Sequence, residues 1–553
     1  MTLTEKTLSS AAIRQASRPI PDVRLQLLRK AIMGEVGISD ARPDITVDLR
    51  EFEWVDKGQG RTWWWALQQL PNLAWSVGDL SALEPNLASE VCELNRSVVC
   101  SWMNQSKPDS ISAPLTWHDH ATALRAIHLF RWTNTLLVLG MDPHSLPMLE
   151  QLIVEHTSWL VDPANYSRGN NHGFEQAWVL LEIAADWPGH AVVTGHMALA
   201  MSRLQQEIID SFTAEGVHKE NSPGYQYFMI KRIRELKAFL ENRGLSIPHT
   251  DMDGLIRSAD QFLAAMALPD GSLPLIGDTQ HKPRQKKYTK SLIESHVELL
   301  NKEWFDYTRS GYFIWRKRAA NDLPEIHMVM KNMHESQYHR HDDDLMVHLV
   351  LDNAVVFGDA GLYAHDRTCP VRAHVRSAYA HSTLHPASSD TPCRNPESLR
   401  RKPNMIFIES TGVLLGKTYL YPSLVLSRRC KFIGKSGKLI KITDIVKNHA
   451  SSPVRMVSGF LVPCGFQVSV QDAAANKEVV LEGEGLVVGL RIMEGSTCSF
   501  EMVKGWSSDG TKRAIISDVA GNSKTASKVN MVWEAAPQQQ SKLEYVISAF
   551  RAD

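Results

Sequence analysis

From about residue 60 to residue 300, apolar residues recur at three- and four-residue spacing, the period of amphipathic helices. Leu149, Leu152, Ile153 and Leu160 form one stripe. Phe174, Ala177, Trp178, Leu181 and Ala184 form another. Prolines at 71, 114, 143, 147, 163, 188 and 223 punctuate the segment, which predicts consecutive helices joined by short loops. No fixed-period repeat runs through them, which argues against a TPR or HEAT solenoid and for a toroid or bundle of helical hairpins. Near residue 305 the pattern changes. Short β-branched or aromatic runs at 311–316, 345–351, 424–426 and 479–481 are separated by turn residues such as Asp352-Asn353 and Ser436-Gly437. These predict the strands of an antiparallel sandwich. The boundary falls around residues 300–308, and the basic stretch Lys282 to Lys290 is expected in a loop just before it.

Composition narrows the class without naming it. The 553 residues are 43% hydrophobic and 22% charged, the mix of a globular protein and not of a disordered one. A formal net charge of −1 argues against a nucleic-acid binder, which would carry a basic excess. No apolar run is long enough to predict a membrane span. The seven cysteines are scattered and none sits in a CxxC pair, so neither a disulfide framework nor a cysteine zinc site is indicated. Two distributions are uneven. Eleven of the 15 Trp precede residue 190, and nine of the 22 His lie between His327 and His385.

Three constellations could carry chemistry. The densest is Tyr338-His339-Arg340-His341 followed by Asp342, Asp343 and Asp344. Were this stretch a strand, His339, His341 and Asp343 would share one face. A strand, the Asp352-Asn353 turn and a second strand would return Asp359 toward His341, and His381 follows. Two histidines and one aspartate on neighbouring strands suit zinc. The second is Gly169-Asn170-Asn171-His172-Gly173 at a helix start, where free N–H groups attract an anion and an amide and imidazole could grip a carboxylate. The third is the loop from Glu220 to Tyr227, with Tyr225 a potential proton donor or acceptor. Weaker features are the Trp63-Trp64-Trp65 run and Trp117, which read mainly as helix packing. Trp117-His118-Asp119-His120 reads as a cap. Six basic residues between Arg428 and Lys441 read by default as a solvated hairpin face that could attract a polyanion.

Taken in order, the chain resembles the heparinase II/III-like polysaccharide lyases. The resemblance runs over most of the chain from about residue 60 and is carried by NNHGFEQAWVLLEIA, VHKENSPGYQYF, PDGSLPLIGDTQ and the block from HRHDDDLMVHLVLDN through VVFGDAGLY to RSAYAHSTL. It implies an α+β multidomain fold: an N-terminal α/α toroid, an incomplete barrel of helical hairpins, in residues 1–303 with 1–55 as an extension, then an antiparallel β-sandwich in residues 304–553. It also implies a site in the cleft between them and β-elimination on a uronic-acid-containing acidic polysaccharide or oligosaccharide. Asn171 and His172 then match the pair that neutralises the uronate and handles a proton. Tyr225 matches the acid, which in some substrate geometries is also the base, and His339 the histidine flanking the sugar. Asn170, Tyr227, Arg340 and Trp117 are the candidate substrate contacts beside them. His341, Asp359 and His381 match the ligands of a structural Zn2+. The chain departs from the family pattern at Ser382, where Asn is usual, at Gly224 and nearby Tyr227, and in the acid run Asp342 to Asp344, which would repel a polyanion if it faced the cleft.

The N-terminal residues lack the apolar stretch of a secretory signal. A cytoplasmic enzyme is expected, or a periplasmic one if a leader precedes this sequence. A cytoplasmic member would trim oligosaccharides or serve a bacterial surface-polysaccharide pathway. Partners are then the acidic glycan, with no nucleic acid, no membrane span and a homo-oligomer left open. Two other readings stand beside the lyase: a non-catalytic glycan-binding or polysaccharide-assembly protein of the same fold, and a metal hydrolase. The hydrolase rests on His339-x-His341-x-Asp343, which imitates a metallo-β-lactamase opening, but that pattern expects histidine where this chain has Asp344.

Overall fold

A computed structural model describes the chain from residue 8 to residue 552, apart from residues 40–41, 107–112, 189, 191–192, 194, 321–322, 333–335, 337, 367, 388–403, 474–475, 496–497 and 507–512. His334 and Cys393 therefore lie outside the described residues. The chain divides into two compact units. One comprises Met1–Ser211 with Arg234–Asp251, the other Phe212–Ile233 with Met252–Asp553.

In the first unit the helix Asp119–Leu139 packs against Leu146–Val161 and Asn171–Asp186, and the last of these packs against His196–Ser211. Both apolar stripes expected from the sequence face inward: Leu149, Leu152, Ile153 and Leu160 are buried, as are Phe174, Ala177, Trp178, Leu181 and Ala184. Full burial of such a side chain contributes about 1.5–3 kcal/mol, so the stripes hold these helices in place. Gly140 in the left-handed conformation ends the first helix, its N–H bonded to Leu136 O. Trp63, Trp64, Trp102, Trp132 and Trp187 are fully buried, so much of the early tryptophan excess is helix packing.

The second unit is mainly antiparallel sheet. A five-stranded meander runs Trp304–Tyr307, Tyr312–Lys317, Ile326–Lys331, Met346–Leu351 and Ala354–Phe357. The turn between the last two strands is Asp352-Asn353, as the sequence predicted, with both φ values positive at 44° and 69°. Asp and Asn are among the few residues that tolerate that conformation in a two-residue hairpin. An eight-stranded sheet places Gln540–Arg551, Lys438–Asn448, Leu424–Lys435 and Val413–Thr418 side by side, and a third sheet contains Leu384–Pro386, Val454–Pro463 and Lys524–Ala535. One apolar core, with residues such as Phe313, Leu349, Leu426, Ile442, Phe460 and Met531, joins all three. An α/α toroid followed by an antiparallel β-sandwich is the fold class that the sequence predicted.

Two local expectations are corrected. Most of the Lys282 to Lys290 stretch is not loop but the helix Pro283–Ser295, started by Pro283 in its first turn. Only Gln285, Thr289 and Leu292 turn inward, too thin an apolar stripe to show in the sequence. His339, His341 and Asp343 do not lie on a strand, because the strand begins at Met346. Among the described residues, no helix is long and apolar enough to cross a membrane.

Candidate active site

In the first unit the site is built at the start of the helix Asn171–Asp186. Asn170 is its N-cap, with Oδ1 accepting from the backbone N–H of His172 at 2.7 Å and Gly173 at 3.3 Å. Those N–H groups, expected to attract an anion, are satisfied by the cap. What remains at this end is the half-buried side chain of His172. Its Nδ1 lies 3.0 Å from Asp119 Oδ2, and its ring stacks on His120 at 4.4 Å. Asp119 also accepts from Ser167 Oγ and, at 2.7 Å, from the backbone N–H of His120. Burial would raise the Asp119 carboxyl, but the bonds from His172 and Ser167 hold it below the usual carboxylate range. An ionised carboxylate only accepts, so Nδ1 of His172 carries the proton that it shares with Asp119. The sequence reading of Asp119 as part of a cap missed this role, since its partner lies 53 residues away.

Trp117 is half buried. Its indole donates to Ser106 O and its ring packs among Trp102, His156 and Trp159. Behind it, the buried Arg125 ties down the segment that leads to Asp119 by donating to Gln68 O and Thr116 O.

In the second unit Tyr225, expected in a loop, lies in the first turn of the helix Pro223–Glu241, and its ring stacks on His339 with centroids 3.6 Å apart. Asn221 anchors the neighbouring segment by donating to Ser336 O at 3.0 Å and Tyr338 O at 2.8 Å. Gly277 lets these two segments close on each other. It is left-handed, at φ +57°, and a Cβ there would lie 2.5 Å from Asn221 O. Gly224, the departure noted in the sequence, packs against Thr279, whose hydroxyl accepts its N–H at 3.1 Å. His339 has a φ of 52°, an uncommon conformation for a non-glycine residue and one that clusters at functional sites.

One buried carboxylate organises this cluster. Asp278 Oδ2 meets His339 Nδ1 at 2.8 Å, Oδ1 meets His341 Nε2 at 2.8 Å, and Arg372 donates to both oxygens. Burial would raise Asp278, but His339, His341 and Arg372 hold it well below the ordinary carboxylate range. Burial first, then the Asp278 and Glu220 carboxylates, push the Tyr225 phenol up, so it keeps its proton. Glu220 lies 3.3 Å from His339 Nε2. Asp278 and Arg372 were not singled out in the sequence, and Glu220 opened the third constellation without a role of its own. For Asp278 the signal was its place inside the PDGSLPLIGDTQ stretch.

His341, Asp359 and His381 are fully buried, with one ligand atom of each within 4.8 Å of the others. His341 Nδ1, Asp359 Oδ2 and His381 Nε2 have no hydrogen-bond partner among the described residues. Their remaining atoms are held, His341 Nε2 by Asp278 and His381 Nδ1 by Asp359 Oδ1 at 2.8 Å. Burial pushes the His341 imidazole down to about 4, which keeps it neutral. Orphaned ligand atoms on two oriented imidazoles and one carboxylate fit a zinc-type ion. Ser382 bridges strands instead, donating to Gly358 O and accepting from Leu461 N–H.

The remaining candidates point elsewhere. Arg340 is 1% exposed and lies against Asp344, so it faces the interior and not a ligand. Tyr227 packs on Tyr288 and Tyr225 on His339. The acid run is buried: Asp343 pairs with Lys331 at 2.6 Å, and Asp344 accepts from Thr418. It neither repels a polyanion at the surface nor completes a hydrolase-like metal set with His339 and His341.

Residues 99–303 match the family model of the heparinase II/III N-terminus. Over those residues the chain is similar to that family. Comparison with curated protein sequences gave no match. Among solved structures, the chain is similar to heparinase III, with a TM-score of 0.71 and 14% identity over 100% of this chain and 88% of that one. It is also similar to the heparan sulfate lyase HepC from Pedobacter heparinus, with a TM-score of 0.64 and 14% identity over 97% and 84%. At such identity these likenesses show the fold.

Proposed function

We propose that this protein is a polysaccharide lyase that cleaves a uronic-acid-containing glycan by β-elimination and leaves an unsaturated uronate end. The observation that carries the proposal is the stacking of Tyr225 on His339 above the buried Asp278–Arg372 pair. The similar solved structures include one named a heparan sulfate lyase, which supports the substrate class.

The elimination needs a neutralised carboxylate, a base and an acid. Asn171 is assigned to the uronate carboxylate and His172 to the proton. With Nδ1–H held by Asp119, His172 presents Nε2 to the C5 proton. As that proton leaves, its electron pair forms the C4=C5 double bond and the C4–O4 bond breaks. Tyr225, which burial keeps protonated, gives its proton to O4. His339, held by Asp278, flanks the sugar. Asp119 and Asp278 are positioning residues. His341, Asp359 and His381 would hold a zinc ion, which when bound supplies a structural cross-link between three segments of the second unit.

The test is incubation with a panel of uronate polymers, followed by the ultraviolet absorbance of the unsaturated product. Absorbance that Tyr225→Phe abolishes supports the proposal. Metal-dependent cleavage without that absorbance would replace it with hydrolysis. Glycan binding without any cleavage would replace it with a binding or assembly role.

A further inference from the structure

We infer that the outward face of the eight-stranded sheet is a second, non-catalytic binding surface for a linear polyanion, and that its ligand is the acidic glycan itself. The glycan identity rests on the substrate class proposed above; the polyanion surface rests on the strand register.

Along Leu424–Lys435 the side chains alternate. Leu424, Leu426, Arg428, Cys430 and Phe432 are buried, while Arg429 and Lys431 are exposed. Register then sorts the basic residues of four adjacent strands into successive rows on that outer face. Lys431 stands directly opposite Lys441, and Arg429 opposite Thr443. The next row joins Lys417, Ser427, Ile445 and Lys542, and the last joins Val425 to Lys447. These rows hold six cations and one carboxylate, Glu544, which pairs with Lys441 at 2.7 Å. With strands about 4.8 Å apart and same-face residues about 6.8 Å apart, the face spans roughly 14 Å by 20 Å, with at least one cation in every row.

Sheet stability does not account for this pattern. Lysines on edge strands prevent edge-to-edge pairing, but Leu424–Lys435 and Lys438–Asn448 are interior strands. Like charges directly opposite each other destabilise a pair, and Lys431 and Lys441 are placed so. The chain has no basic excess to distribute, with a net charge of −1. A local conflict with the stable pattern marks a function, and a ladder of cations along a flat face fits a linear polyanion. An anionic membrane is the competing occupant, because Ile406, Ile408 and Leu415 are exposed nearby. Those three lie on the edge strand Met405–Ile408 and its neighbour, and the exposed Phe550 lies near the end of Gln540–Arg551, outside the rows, whereas the cations run along the interior strands.

The experiment compares the full-length wild type with two variants. One is the triple substitution Arg429→Gln, Lys431→Gln and Lys447→Gln; the other keeps the charge, Lys431→Arg with Lys447→Arg. Binding is measured against heparin (carboxylate and sulfate), polygalacturonate (carboxylate only) and phosphatidylserine vesicles over rising salt. The expected result is that the triple variant binds at least one polymer on the order of tenfold more weakly at low salt, with a shallower salt dependence. The arginine variant should bind like wild type, and cleavage of a short oligosaccharide should not change. Loss on heparin alone would make sulfate the recognised group. Polymer binding unchanged in the triple variant, or a loss confined to vesicles, would overturn the inference. If no polymer yields an unsaturated product yet the triple variant still loses polymer binding, the lyase reading fails and the surface stands.

Discussion

Replacing Asp278 with Asn probes the group on which the second-unit cluster depends. The carboxylate side chain is wholly buried, and its partner Arg372 has a side-chain exposure of 7%, so solvent does not screen the pair. Asp278→Asn removes the charge, leaves the Arg372 guanidinium uncompensated and turns an amide N–H toward groups that themselves donate. Removing one partner of a buried ion pair costs about 3–5 kcal/mol. The same change frees His339 Nδ1 and His341 Nε2 from their shared acceptor. Urea denaturation of the variant should therefore show a loss in that range, with reduced zinc content after metal loading. The double variant with Arg372→Met removes the stranded cation and should recover part of the loss, because the two effects are coupled and not additive. An Asp278→Asn protein within about 1 kcal/mol of wild type, with normal zinc content, would refute the reasoning.

Asp119→Asn should reduce kcat by on the order of 10²–10⁴-fold with little change in KM, since an amide can stabilise the wrong tautomer of His172; a loss below about threefold would contradict the positioning role. His341→Ala should lower stability by about 2–4 kcal/mol and abolish zinc binding before any specific kinetic defect, and unchanged zinc content in that variant would refute the ligand assignment. Burial pushes the imidazoles of both His218 and His385 down to about 3 from an ordinary value of 6.5. The unfolded chain therefore takes up protons below pH 6.5 that the folded chain does not, so stability present above that value is lost as pH falls toward 3, by up to about 1.4 kcal/mol per pH unit for each group. A urea midpoint at about pH 5.5 equal to that at about pH 7.5 would contradict it.

What the sequence revealed follows the range of each interaction. The two buried stripes at Leu149 and Phe174 and the Asp352-Asn353 hairpin are local, and a repeat or a turn residue announces them. The gathering of His341, Asp359 and His381 was legible because a strand, a two-residue turn and a strand fix where Asp359 returns. The strand assumed for His339 to Asp343 was not borne out, because side chains there bond outward from an irregular segment: His339 to Asp278, Asp343 to Lys331. Asp278 with Arg372 and Asp119 with His172 are separated by 94 and 53 residues. No periodicity or spacing connects such partners, so only the folded chain pairs them. Arg340 shows the converse: a charge beside a histidine motif looked like a ligand contact, and packing placed it inside against Asp344.

The central claim is that bond cleavage occurs by elimination and not by addition of water. Mass spectrometry of the products of a cleaved uronate polymer tests it most directly. The account predicts that every new non-reducing end is one water lighter than the hydrolysis product, and that Tyr225→Phe yields no such fragments. Fragments carrying the full mass of added water would contradict it.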